Sequence, residues 1–245
     1  KLGLKLASMV DDSAPQVRLQ LAAALGQWQD PRAASAIATI ARQDSNDPMI
    51  VAAAVSSLRE HNLQPILEKL LSPTGHVPEE FAGHLLATAV GYGRHDIGLR
   101  GLGGMAKSRA SSGSDPCWPF GTLQVFGQAL QSQNLTFADL ARDDPAHAAR
   151  LRQVLEDMFA HAARLTFRPG QPLGQRVQAV RLLGMLGVQQ ERAREVLGKL
   201  LVPQEPVEIQ SAAVDALMCW GGAEVATVLL ANWASFSPTM RAKAL

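Results

Sequence analysis

A 245-residue chain that is 47% hydrophobic but only 5% aromatic must fill its interior mostly with alanine and leucine, as close helix-on-helix packing favours. With 23 basic against 22 acidic residues the formal charge is +1, which argues against a dedicated nucleic-acid binder, whose affinity needs a net positive footprint. No apolar run reaches the ~18 residues of a membrane span, no signal peptide is visible, and Cys117 and Cys219 fit no metal-ligand or redox spacing.

In chain order, residues 2–10 (LGLKLASMV) are short and apolar, as expected for the second helix of a repeat. Residues 12–44 then read as a helical hairpin. Pro15 opens its first helix, and Val17, Leu21, Ala22, Ala24 and Leu25 recur at helical spacing before Gly26 ends the run. Asp30 and Pro31 stand as N-cap and first residue of the second helix, which carries Ala34, Ile37, Ala38, Ile40 and Ala41 on its apolar side. Such a hairpin cannot bury both faces alone and calls for stacked neighbours.

The pattern restarts at once. Pro48, Ile50, Ala54, Val55 and Leu58 lie 33 places after Pro15, Val17, Leu21, Ala22 and Leu25, with residues 63–71 as the partner helix. A third, degenerate hairpin spans 78–106, with Phe81, Leu85, Leu86, Ala89 and Val90 as its stripe and Gly91 in the slot of Gly26. Its return segment holds Gly98, Gly101, Gly103 and Gly104; at roughly 1 kcal/mol per glycine against alanine, a weak or broken helix is expected there.

Residues 107–121 (KSRASSGSDPCWPFG) read as a loop pinned by Trp118 and Phe120, with 107–114 mobile. A short helix over 123–130 follows. Asn134 or Thr136 can cap another that carries Phe137 and Leu140, and Asp144-Pro145 starts a long helix to about Leu165 with a bulky face at Met158, Phe159 and Leu165. Regularity then returns. Arg176, Ala179, Val180, Leu183 and Gly184 align with Arg18, Leu21, Ala22, Leu25 and Gly26; Ile209, Ala213, Val214 and Leu217 repeat the stripe, and Pro238, Met240 and Arg241 open a last copy. The sequence therefore predicts an all-α chain, a right-handed α-solenoid of about five to six hairpins over 1–245, regular over 1–71 and 172–245 and irregular over 72–171. The chain is expected to be a piece of a longer one, starting as it does at Lys1 and stopping within a helical pattern at Leu245.

The residues Asp12, Pro15, Val17-Arg18, Ala22, Leu25-Gly26 and Asp30-Pro31, with weaker copies from Pro48 and Val207, resemble HEAT repeats, particularly the short class of the phycobilin-lyase-type proteins. In that family the first helix lines the convex side and the second the concave side. The resemblance implies Ser35, Thr39, Arg42, Gln64, Lys69, Glu191, Glu195, Glu224 and Thr227 as concave-face binding candidates. A narrower likeness, in VRLQLAAALG, IVAAAVSSLR and LLATAVGYGR, is to the helical segment of large exported planctomycete-type membrane-bound dehydrogenase proteins, bacterial chains that join a β-propeller, a HEAT-like array and a cytochrome c domain. It implies a periplasmic or exported setting, with haem c only in the parent protein: Cys117 and Cys219 are followed by Trp-Pro-Phe and Trp-Gly-Gly, so this chain has no CxxCH.

No catalytic constellation emerges from the motifs. Glu80/His84 and Asp157/His161 are i,i+4 pairs without a visible third ligand, best read as half-exposed helix pairs, and His61 as a residue near a helix C-terminus. GLRGLGG completes no phosphate fingerprint, and Trp28, Trp220 and Trp233 suit ridge-filling core positions. The ten basic and six acidic residues between Arg142 and Lys199 read as solvated helix faces. The expected function is a non-enzymatic scaffold or protein-interaction module without cofactor, catalytic residue or metal. Its partners would be flanking domains or a partner chain, with end-to-end self-association at a C-terminal end left uncapped. The alternatives are a HEAT-like nucleic-acid-binding or DNA-glycosylase-type protein and a bilin-lyase-like chaperone.

Overall fold

The computed structural model describes residues 5–6, 8–72, 77–110, 120–140, 145–168 and 170–244, apart from the side chains at 106–110, 138, 145–148 and 150. The described residues are helical with no strand, and they divide into two compact units, residues 1–129 and 130–245.

In the first unit the helices are α1 (Pro15–Leu25), α2 (Pro31–Gln43), α3 (Pro48–Ser56), α4 (Glu60–Leu70), α5 (Glu79–Gly91) and α6 (His95–Ala110), and α7 (Phe120–Ser132) begins there. Their starts follow from local chemistry. Pro15, Pro31 and Pro48 occupy first positions where a missing N–H costs nothing, and Asp30 and Asp47 accept backbone N–H groups of the opening turns (Arg32 N at 2.9 Å, Met49 N at 2.9 Å, Ile50 N at 3.2 Å). Packing proceeds in two rows: α1, α3 and α5 succeed one another, and so do α2, α4 and α6.

Two features set the spacing between α1 and α3. A Cβ on Gly26 would stand 2.6 Å from Ser57 Cα and 2.7 Å from Ser57 O, so only glycine allows the backbones this close. Within the same contact lies a buried polar knot. Gly26 N donates to Ser57 Oγ (3.2 Å), the Ser57 hydroxyl donates to Ala22 O, Asn62 Nδ2 donates to Ser57 O (2.9 Å), and Arg59 N donates to Asn62 Oδ1 (2.9 Å). Ser57 and Asn62 are buried, and each bond offsets the desolvation that an unmet polar group would suffer there. Around the knot, Leu25, Ile37, Ile40, Ile50, Leu63, Ile66 and Leu70 form the core.

The second unit holds α8 (Phe137–Leu140), α9 (Pro145–Thr166), α10 (Leu173–Met185), α11 (Gln190–Lys199), α12 (Val207–Met218), α13 (Ala223–Asn232), a 3₁₀ turn (Trp233–Ser235) and α14 (Pro238–Lys243). Succession by two recurs: α10 packs on α12, α11 on α13 and α12 on α14, while α9 packs on α10. Gly184 repeats the close approach of Gly26, since its Cβ would stand 2.8 Å from Ala216 Cα. Met158 and Phe159 of α9 are fully buried, as their bulk suggested.

Several expectations are corrected. The glycine-rich segment is not broken; α6 runs unbroken through it to Ala110. Three of its glycines face neighbours closely: a Cβ at Gly98 would meet Phe126 Cζ at 2.7 Å, one at Gly101 would meet Leu86 Cδ2 at 2.6 Å, and one at Gly104 would overlap Leu71 Cδ1. Tertiary packing of these near-featureless faces outweighs their poor propensity. The loop expected over 107–121 fails at both ends, because Lys107–Ala110 belong to α6 and Phe120–Gly121 to α7; the intervening 111–119, with Cys117 and Trp118, lie outside the described residues, as do 1–4. The partner helix of the second hairpin starts at Glu60, three residues before the expected Leu63, because the Asn62 side chain accepts the Arg59 N–H (2.9 Å) and so satisfies a donor of the opening turn. His61 therefore sits in the first turn of α4, not near a helix C-terminus.

Candidate interaction surface

A long side chain that recurs both in sequence and in contact is the first-helix arginine. Arg18 donates through Nε and Nη2 to both carboxylate oxygens of Asp44 (2.8 and 2.6 Å) and through Nη1 to Asp12 O (2.6 Å). Arg176, in the same slot, donates to Glu205 Oε2 (2.6 Å) and Thr166 O (2.8 Å). Each guanidinium thus ties the turn before its helix to the turn before the next first helix, a task suited to a fork of fixed donors. Arg241, the third member, donates only to Trp233 O (3.3 Å) and Ala234 O (3.4 Å), and meets no carboxylate among the described residues.

The nine concave-face candidates divide between the two units, and their polar groups are used differently. Thr39 and Thr227 turn their hydroxyls back to their own helices, bonding Ser35 O and Ala223 O at 2.9 Å. Arg42 caps the end of α4 through Lys69 O and Leu70 O (3.2 and 3.1 Å), and Gln64 donates to Glu68 (2.9 Å). Ser35, Lys69, Glu191, Glu195 and Glu224 are exposed on second helices. They fall in both units, with Ser35, Thr39, Arg42, Gln64 and Lys69 in the first and Glu191, Glu195, Glu224 and Thr227 in the second.

The histidine pairs differ from each other. Glu80 is exposed beside a half-buried His84, whereas Asp157 is exposed and takes a bond from Gln153 (3.0 Å) while His161 is buried at 7% exposure. The expectation of two half-exposed pairs therefore fails for the second, because His161 falls on the inward face of α9 with Met158 and Leu165. Among the described residues no group of three or more His, Cys, Asp or Glu gathers around a possible ion. Nor is any described helix long and apolar enough to cross a membrane.

Trp28, Trp220 and Trp233 are half-buried ledges, not core. Arg32 lies over the Trp28 ring (5.5 Å to the centroid), held by Asp30, whose carboxyl its side-chain bonds of 2.7 and 2.8 Å lower to about 2. Arg241 stands 6.0 Å from the Trp233 ring. Cys219 is a free and exposed thiol; burial of its sulfur on one side pushes the pKa up, against a smaller lowering by a bond to Gln131.

One surface lies on the C-terminal hairpin that the sequence reading left uncapped. Met218, Gly221, Gly222, Val225, Ala226, Leu229, Leu230, Trp233 and Ala244 line an open groove of about 410 Å³ along α13. Leu230 is 68% exposed and Met218 47%, the kind of exposure that marks contact surfaces. The signal was present in the text: α13 (AEVATVLLAN) has Glu224 as its only charge, whereas α11 (QERAREVLGK), in the same place of the preceding hairpin, has five charged residues in ten. Comparison with protein-family models, curated proteins and solved structures finds no match.

Proposed function

We propose that the helical hairpins build a HEAT-like α-solenoid serving as a non-catalytic docking or spacing module. Following the resemblance given above, it would hold flanking domains of a larger exported redox protein, with any haem belonging to that parent. The observation that carries the reading is the repeated stacking device. Gly26 against Ser57 and Gly184 against Ala216 bring successive first helices to near backbone contact, and Arg18–Asp44 and Arg176–Glu205 tie successive turns. A chain that repeats its inter-hairpin joint in this way invests its sequence in a regular support, and its second helices carry varied exposed side chains such as Ser35, Lys69, Glu191 and Glu195. Function then resides in what those faces hold.

Photo-crosslinkers placed at Ser35, Glu195 and Thr227 in the protein in its native host test this. Protein adducts are expected from these second-helix positions and not from Ala23 or Arg181 on first helices, both exposed. Adducts of equal yield from both sets, or from neither, would overturn the docking role.

A further inference from the structure

We propose that the apolar face of α13 receives the partner helix of α14, a segment of this polypeptide beyond Leu245, and that the turn closing that segment brings an aspartate or glutamate to Arg241. This occupant rests on the stacked-hairpin reading and is independent of any docking at second helices elsewhere.

The preceding hairpin shows what covers this face. Ala193 and Leu197 of α11 match Val225 and Leu229 of α13, 32 places on, and all four are buried. In that register Gly198 matches Leu230, and Leu201 matches Trp233. α13 packs on α11, and a Cβ on Gly198 would stand 3.2 Å from Val228 Cγ1, so Gly198 faces forward to α13 and Val228 faces back to α11. Ala226 and Leu230 each lie two residues from Val228, roughly 160° around the helix from it, and form a ridge on the side turned away from α11. On this side the match of Gly198 is a leucine 68% exposed, and the match of the fully buried Leu201 is a half-buried tryptophan. The ridge and its groove are therefore the side that a next partner helix covers. Ala244, directly after α14, already borders the groove, and turns of only four residues join α10 to α11 and α12 to α13.

Charge points independently to the same segment. Each first-helix arginine makes a joint of two halves. Arg18 and Arg176 bond backward to Asp12 O and Thr166 O. They bond forward to Asp44 and Glu205, carboxylates that stand 26 and 29 residues later in the same polypeptide, beyond the partner helix. Arg241 makes the backward half through Trp233 O and Ala234 O (3.3 and 3.4 Å) and meets no carboxylate among the described residues. A carboxylate at the same distance past Arg241 completes the third joint. That recurring spacing along one polypeptide selects a segment of this chain over a separate partner.

The polypeptide as its host makes it supplies the test. Past Leu245 it should run through an amphipathic helix to an aspartate or glutamate 26 to 29 residues beyond Arg241, as at the two complete joints. A polypeptide that stops short of that point, or that lacks the helix or the acid, would overturn the proposal. Amide hydrogen exchange then tests the contact. The α13 amides should exchange at least about tenfold more slowly in that polypeptide than in the 245-residue chain. Leu230→Glu should abolish the difference and leave the 245-residue chain unchanged, since Leu230 is exposed there. Arg241→Glu should weaken the protection, and the reciprocal change at the acid should recover most of it. Equal exchange in the two polypeptides would overturn the proposal, as would a swapped pair no better than Arg241→Glu alone. Protection of the 245-residue chain that rises with its own concentration would assign the face to a second copy, and would overturn it too. Crosslinking yields at Ser35 and Glu195 bear on the docking role alone, so the two failures are told apart.

Discussion

Two sets of glycines in the first unit do different work. Gly26 faces backbone: Ser57 Cα and O lie where its Cβ would go, and neither can move without shifting α3 as a whole. Gly101 faces the tip of Leu86, a terminal methyl on a side chain with rotamers to spare. Both look alike as text, and both permit close approach. The first fixes the distance between two helices, while the second only gives a side chain room to lie flat. A glycine against backbone is a constraint on architecture, and a glycine against a side-chain tip is a local accommodation.

Four experiments break or sharpen that contrast, from the largest effect to the smallest. Gly26→Ala should destabilise by about 2–3 kcal/mol, because overpacking here must part α1 from α3. Chemical denaturation would show it, and a loss under about 0.5 kcal/mol would mean the two backbones can separate freely. Ser57→Ala should cost about 1–2 kcal/mol by leaving Ala22 O and Gly26 N short of a partner within the same contact. Its effect should shrink when it is combined with Gly26→Ala, since parted helices have already lost those bonds.

At Gly101→Ala the two terms oppose each other. A helix-interior alanine gains up to about 1 kcal/mol over glycine, and turning Leu86 aside costs about as much, so the net change should stay within ~1 kcal/mol of zero. A loss as large as that of Gly26→Ala would show that Leu86 is as fixed as backbone. The smallest effect is one of pH. The Asp30 carboxyl is held at about 2 in the folded chain by Arg32, below its ordinary 3.8. Its contribution is therefore complete above pH ~4 and is lost as pH falls from there through about 2. Asp30→Asn should flatten that part of the stability–pH curve, read by thermal melts, and leave the Gly26 contact unaffected; an unchanged curve would mean the pair adds nothing.

Much of this was legible in the sequence. Pro15, Pro31 and Pro48 marked helix starts because proline lacks the one N–H that a first turn does not use, and the 33-residue offset between Pro15 and Pro48 marked the recurring hairpin. The end of α6 was hidden by composition. Propensity argued against a helix through Gly98, Gly101, Gly103 and Gly104, and the faces that hold it, at Leu71, Leu86 and Phe126, lie 12 or more residues away along the chain. The candidate site was least legible. The nine residues chosen by slot lie on second helices, yet Thr39, Thr227, Arg42 and Gln64 spend their polar groups on neighbouring backbone or on their own helix.

The sequence by itself determined helix type, most helix starts and the succession of hairpins, because proline geometry, N-caps and apolar spacing act within a few residues of one another. Tertiary structure alone decided which glycines are architectural, that Ser57 and Asn62 are buried and satisfied, and that α13 keeps its apolar ridge in water. Those outcomes depend on what stands opposite a residue in space, and neither propensity nor period carries that information.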